Sequence, residues 1–345
     1  MPEAAARRPR VGAGPRRAGE VGRLAALLEP AAVRRLATSG FILVVAIFAI
    51  VRLLDLYPWN HRIFDLWAYW STRFDIDYTT ARPGESGAYL YSPAFAQLIA
   101  PLTALPLAVF TATWTVLLAA AFYWLTGWRA FLIGVLAPVT MSIAIGQLDV
   151  LMAAVIVLGF RWPVAWLLPF ITKVTPGIGV LWFAARREWR SLGIALGATA
   201  AVVGASMAID PRAWIGWIEM LGRFETPTAA NGVFLPVPLW VRLPLVALLI
   251  VWGARTDRRW VLPIGVTFAL PTVWLNTPTI LVAILPLIAL GADAPAARWL
   301  RATPDSEALA LQRLRRRMRR AGLVLRREVA ATAATAASLE RVIRR

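Results

Sequence analysis

The chain has 345 residues, 59% of them hydrophobic and only 16% charged, with a mean hydropathy of +0.62. An ordinary soluble domain carries about 25% charged and about 45–50% apolar residues, so this composition excludes a plain water-soluble enzyme. The formal net charge is +18, from 36 arginines and one lysine, Lys173, against 19 acids. There is no cysteine, hence no disulfide framework and no thiolate chemistry. Eight arginines precede residue 36 and thirteen lie from Arg298 onward. Basic ends around an apolar body fit cytoplasmic tails under the positive-inside rule. No nucleic-acid partner is expected.

In chain order, residues 1–36 are rich in Ala, Arg, Gly and Pro without an apolar run, and read as a disordered basic cytoplasmic arm. A transmembrane domain is expected over 37–292. Its first anchor runs from Phe41 to Leu56, and a polar outer loop opens at 57 and extends to 106. Apolar segments follow at about 93–105, 107–126, 130–145, 149–160, 163–172, 175–185, 190–209, 237–254, 260–274 and 277–291, with a second outer loop at 210–236. At roughly 20 residues per span, the stretch holds about ten transmembrane helices. The fold class is therefore an all-α, polytopic membrane protein. Residues 293–345 form an Arg-rich tail with an amphipathic helical pattern, expected to lie on anionic membrane lipid.

Orientation follows from the arginines. With 93–105 lying along the interface, Arg129, Arg161, the Arg186–Arg190 turn and the Arg255–Arg259 turn all face the cytoplasm with both tails. Pro93, Pro101 and Pro106 make 93–105 a poor straight span in any case. Residues 163–185 then form two short helices hinged at Lys173-Val174-Thr175-Pro176. Broken helices are tolerated where they line a cavity.

This topology gathers polar residues on the outer face. They are Asp65 and Tyr69 within Phe64-Asp65-Leu66-Trp67-Ala68-Tyr69-Trp70, Tyr91 before Ser92-Pro93, Gln147 and Asp149, Lys173, and Asn276. Ionisable groups at membrane depth cost several kcal/mol unless paired or hydrated, which makes Asp149 and Lys173 functional candidates. Simpler roles stay open for each: Asp65 as a solvated loop carboxylate, Gln147 and Asp149 as helix caps, Lys173 as a snorkelling side chain. His61 beside Trp59 has no evident partner in sequence, and the seventeen tryptophans suit interfacial belts. No zinc, P-loop or dinucleotide pattern is present. No cofactor is expected, and a divalent metal stays compatible.

The order of Asp65 with its aromatic stretch, Tyr91-Ser92-Pro93, the run Pro101–Pro106, Gly146-Gln147-Leu148-Asp149 and Lys173-Val174-Thr175-Pro176 resembles glycosyltransferase family 87. The resemblance spans about residues 41–291. It implies a GT-C type helix bundle with interfacial helices in the outer loop. It also implies the activity of the actinobacterial α-1,2-mannosyltransferases, which take mannose from polyprenol-phosphate-mannose. Asp65 would be the general base, and Asp149, Gln147 and Tyr91 would orient sugar or phosphate.

The chemistry suits the residues. An acceptor hydroxyl needs a base, which a carboxylate provides, and a departing lipid phosphate needs a cation. Lys173 is the best placed, with Arg62 or Arg223 as helpers. The expected partners are a polyprenyl-phosphate sugar donor and a glycolipid or glycan acceptor, used on the outer face of the cell membrane. A lipid or solute transporter, or a non-catalytic scaffold, would share the apolar mass. A transporter should show matching interruptions in two halves, whereas only one is seen.

Overall fold

The computed structural model describes residues 30–54, 65–223 apart from 84 and 86, 235 and 237–302. The chain divides into two compact units, Met1–Ala297 and Arg298–Arg345. All regular structure among the described residues is helical, with no strand. The Arg-rich segment 306–345 and residues 224–234 of the second outer loop lie outside the described residues.

Helix α1 spans Pro30–Leu53. Residues 30–36 are thus helical rather than part of the arm. Proline is compatible with a first helical position, where no N–H is needed, and the alanines after it favour helix. Of the residues of α1 only Ala37 and Arg52 are buried. Ile42, Leu43, Val44, Ile47 and Ile50 stay more than half exposed, as hydrocarbon-facing residues should.

Three helical stretches are long and apolar enough to cross a membrane: Pro30–Leu53, Leu107–Gly134 and Trp189–Ile209. A fourth arises if Ala137–Ile145 and Asp149–Gly159, bent by 101° to each other, form one span. The sequence expectation of about ten counted apolar runs. Proline and glycine cut several of these into pieces too short to cross alone, namely Pro163–Thr172, Thr175–Ala185 and Thr277–Leu287.

The remaining elements used below are α2 (Asp65–Ser71), α3 (Pro93–Thr103), α4 (Leu107–Thr126) and α5 (Ala130–Gly134). Then come α6 (Ala137–Ile145), α7 (Asp149–Gly159), α8 (Leu167–Thr172), α9 (Leu181–Ala185), α10 (Trp189–Ile209), α11 (Pro211–Gly222), α12 (Leu239–Arg255) and α13 (Val261–Ala269). Helix α3 is only 11 residues long with Pro101 inside it. At 1.5 Å per residue it falls well short of the ~30 Å hydrocarbon core.

A core cluster ties α7, α9, α12 and α13 together through Ile156, Trp182, Phe183, Ile250, Leu262 and Val266, with Trp166 buried among them. Trp166 wedges between Gly159 and Gly179, where a Cβ would lie 2.3 and 2.2 Å from the indole. The two ends of α4 are distinct. Beyond its N-terminus, Trp70 Nε1 donates to the Leu105 carbonyl at 2.8 Å. Beyond its C-terminus, Arg129 pairs with Asp293 at 2.6 Å, and Trp128 Nε1 donates to the same carboxylate at 2.9 Å. The site is built at the Leu105 end.

Candidate active site

The site begins with the bend between α6 and α7. Gly146 ends α6 at φ 82°, ψ 22°, a left-handed geometry that glycine adopts without a Cβ penalty. The amide of Gln147 donates to the Ser142 carbonyl at 2.9 Å, closing the turn. Outside help fixes it in place. Trp114 Nε1 of α4 donates to the Gly146 carbonyl at 3.0 Å, and the buried Arg52 of α1 donates to the Ala144 carbonyl. Leu66 of α2 then seats directly on Gly146, whose hypothetical Cβ would fall 2.4 Å from Leu66 Cγ.

That contact delivers Asp65, the first residue of α2, to Gln147. The Gln147 side chain hydrogen-bonds the Asp65 carboxyl group. Asp65 Oδ2 is buried and has no partner, and neither has Gln147 Oε1, although both residues as wholes are only partly buried. A buried polar atom without a partner ordinarily costs about 1–3 kcal/mol. Burial pushes the Asp65 carboxyl up to about 7, with Lys173 opposing the shift, Asp149 adding to it and the Gln147 bond opposing it. One turn further along α2, Tyr69 is fully buried among the rings of Tyr91, Phe95 and Trp114, with centroids 5.3–5.8 Å away. Its hydroxyl lies 3.4 Å from that of Tyr91.

Across from Asp65 sits a charged pair. Asp149 opens α7 and is 1% exposed. Lys173 Nζ reaches its Oδ1 at 3.2 Å, and Asn276 Nδ2 donates to its Oδ2 at 2.6 Å. No side chain caps α7, so Asp149 is spent on these two partners instead of on the helix end. Lys173 holds its place through a strained turn. The Thr175 amide donates to the Lys173 carbonyl at 2.7 Å around Val174, which has φ 54° and ψ −64°. This is the rarely populated form of the γ-turn. For a β-branched residue such backbone costs on the order of 1–3 kcal/mol, and strain of this kind clusters at functional sites.

All seven sequence candidates among the described residues therefore occupy one neighbourhood: Asp65, Tyr69, Tyr91, Gln147, Asp149, Lys173 and Asn276. The helpers fare differently. Arg223 donates to the Tyr78 carbonyl at 2.6 Å, which gives it a packing task. Arg62 and His61 lie outside the described residues. Thr172 donates to the Leu168 carbonyl at 2.6 Å and Thr175 to the Lys173 carbonyl at 3.4 Å, so the hydroxyls beside Lys173 serve the backbone. Among the described residues no three His, Asp or Glu side chains group as metal ligands do.

Sequence reasoning missed three supports. Ser92 Oγ donates to the Ile171 carbonyl at 2.6 Å and binds the Tyr91 segment to α8. Arg52 steadies the α6 end as described. Arg242, buried in α12, donates to the carbonyls of Val237, Phe268, Leu270 and Pro271 at 2.7–2.9 Å. It thereby fixes the segment leading to Asn276. An arginine inside the apolar run Leu239–Val246 was the available signal, by the same rule that flags Lys173.

The model of glycosyltransferase family 87 matches residues 89–270, just over half of the 345. The chain belongs to glycosyltransferase family 87. No curated protein and no solved structure matches it. Family membership makes the protein a membrane glycosyltransferase and sets aside the transporter and scaffold readings. The matched segment holds Tyr91, Gln147, Asp149 and Lys173, while Asp65 and Asn276 fall on either side of it. A groove of about 1070 Å³ opens nearby between α3, α11 and residues 72–79, and neither Asp65 nor Lys173 lines it. The functional assignment rests on the buried polar cluster and not on this groove.

Proposed function

We propose that this family 87 enzyme transfers a hexose, mannose foremost, from a polyprenyl-phosphate sugar to a lipid-linked or envelope glycan acceptor. Transfer takes place at the outer face of the membrane, with inversion at the anomeric carbon. In this reading the shorter apolar helices complete further crossings of a GT-C type bundle, and both tails are cytoplasmic.

The observation that carries the reading is Asp65 Oδ2, buried without a partner in a carboxyl group pushed up to about 7. Such a group takes a proton readily at neutral pH, as a general base must. The acceptor hydroxyl oxygen attacks C1 of the donor sugar and its proton passes to Asp65. The C1–O bond to phosphate breaks, and its electron pair leaves with the lipid phosphate. Lys173 offers three N–H donors, of which Asp149 takes one. The others face the charge gathering on the phosphate. Asn276 and Asp149 hold Lys173 in position. Gln147, Tyr69 and Tyr91 border the carboxylate and orient the sugar.

One carboxylate acting as base in a single displacement inverts the anomeric centre, whereas retention needs a second, nucleophilic group. Membranes containing the protein, given radiolabelled polyprenyl-phosphate-mannose and extracted acceptor lipids, are expected to yield a labelled glycolipid. Its new linkage should have the opposite anomeric configuration to the donor. A product with the donor's configuration would overturn the direct displacement, and no labelled product would overturn the donor class.

A further inference from the structure

From the groove between α3, α11 and residues 72–79 we infer a second binding site, for the neutral polyhydroxyl chain of the acceptor, separate from the reacting hydroxyl. The inference rests on the transfer reading for its purpose, but its binding test does not. The groove's volume of about 1070 Å³ lies at the upper end of ordinary ligand sites, about 300–1,000 Å³.

Its charged lining comprises Asp75, Asp77 and Asp210 against Arg73 and Arg212, three negative charges and two positive, for a balance of −1. That balance disfavours a phosphate or another anion. The mixture of acceptors and forked donors suits hydroxyl groups, each of which both gives and takes a hydrogen bond. Asp77 is spent on its own turn, accepting from the Thr79 and Thr80 hydroxyls at 2.6 Å. Asp75 and Asp210 each commit Oδ1 to a backbone amide and keep a second oxygen. The side chains of Gln97 and Arg212 make no hydrogen bond to another described residue. Phe74, 70% exposed, offers an apolar ring against the Arg73 guanidinium.

The groove communicates with the catalytic cluster through one residue pair. Tyr78 lines it and donates to the Tyr91 carbonyl at 2.8 Å, and Tyr91 carries the hydroxyl beside Tyr69. A chain seated in the groove is thus linked to the neighbourhood of Asp65 through Tyr78 and Tyr91. The groove's other wall, α11, buries Trp214 and Trp217 inward while Ile215 and Ile218 stay more than half exposed. This is the pattern of a helix lying in a membrane interface, the level at which a lipid-linked glycan presents its sugars.

The test uses the full chain in nanodiscs free of sugar detergents. Saturation-transfer NMR is recorded with mannotriose, arabinotriose and maltotriose in turn. At least one trisaccharide should bind the wild type and Asp65→Asn equally, and Gln97→Leu with Arg212→Ala should weaken it at least tenfold. An alkyl-linked trisaccharide binding more tightly than the free one would mark a lipid-linked acceptor, and equal binding a free glycan. Binding by none of the three, binding indifferent to both groove substitutions, or displacement of the sugar by millimolar inorganic phosphate would each overturn the site. Failure of the transfer reading appears elsewhere, as transfer that survives Asp65→Asn.

Discussion

A carboxyl group that titrates near 7 has opposite consequences for activity and for stability. Asp65 must be ionised to accept a proton, so kcat/KM should rise with pH through about 7. Stability runs the other way. A folded-state value raised above the unfolded one of about 3.9 favours folding fully below that value, and the benefit is lost as pH rises to about 7. Asp65→Asn is neutral throughout, so its Tm should exceed the wild type's at pH 8 and match it at pH 4. Equal Tm at both values would show that the carboxyl group is not perturbed. Lys173 acts on the same group. Its charge holds Asp65 down, so Lys173→Met should move the activity limb to higher pH. It should also destabilise the fold by about 3–5 kcal/mol, because Asp149 is left buried without its cation. A pH profile that keeps its limb in Lys173→Met would place the ammonium too far away to influence the base. Val174 gives a third measurement. Val174→Gly relieves the positive φ and should raise Tm while lowering transfer, and a gain in both would mean the strained turn has no part in placing Lys173.

At the scale of elements, the site depends on how closely α2 can approach the α6–α7 bend. Gly146→Ala puts a methyl group 2.4 Å from Leu66 Cγ at φ +82°, so α2 must retreat and carry Asp65 with it. A displacement of about 1 Å is worth roughly 10²-fold in rate, and adding Leu66→Ala to Gly146→Ala should recover part of it. If the double variant is no better than Gly146→Ala, the strain in the turn itself dominates over the contact. The same interface explains which parts of the site were legible in sequence. Asp149 and Lys173 announce themselves because a charge inside an apolar run has few innocent explanations. Their pairing does not, since only the folding of α7 against the Lys173 turn brings them together. Asp65 looks like any loop acid until Leu66 is seen against Gly146. The apolar runs were legible as helices, but their number of crossings was not, because Pro163, Pro169, Pro176 and Pro286 break helical ladders without changing hydropathy. Arg242 went unread although it interrupts an apolar run, and Arg52, near the end of its run, looks in sequence like any charge at a membrane edge.

For the whole molecule, the polar cluster lies at the Leu105 end of α4 and the Arg129–Asp293 pair at the other, as expected if arginine-bearing turns face the cytoplasm. The chain has no native cysteine, so single cysteines report sidedness cleanly. Arg82→Cys should react with an impermeant maleimide in intact cells and Arg190→Cys only after permeabilisation. The reverse pattern would invert the orientation and put the carboxylate on the cytoplasmic side. The central claim is that this membrane enzyme transfers sugar from a lipid phosphate with Asp65 as its base. It is tested most directly by rate: transfer from radiolabelled polyprenyl-phosphate-mannose to acceptor lipid by the intact chain reconstituted in liposomes. Asp65→Asn should lower that rate by about 10²–10⁴-fold while Glu85→Gln, an exposed acid of the same loop, leaves it unchanged. Undiminished transfer by Asp65→Asn would contradict the account.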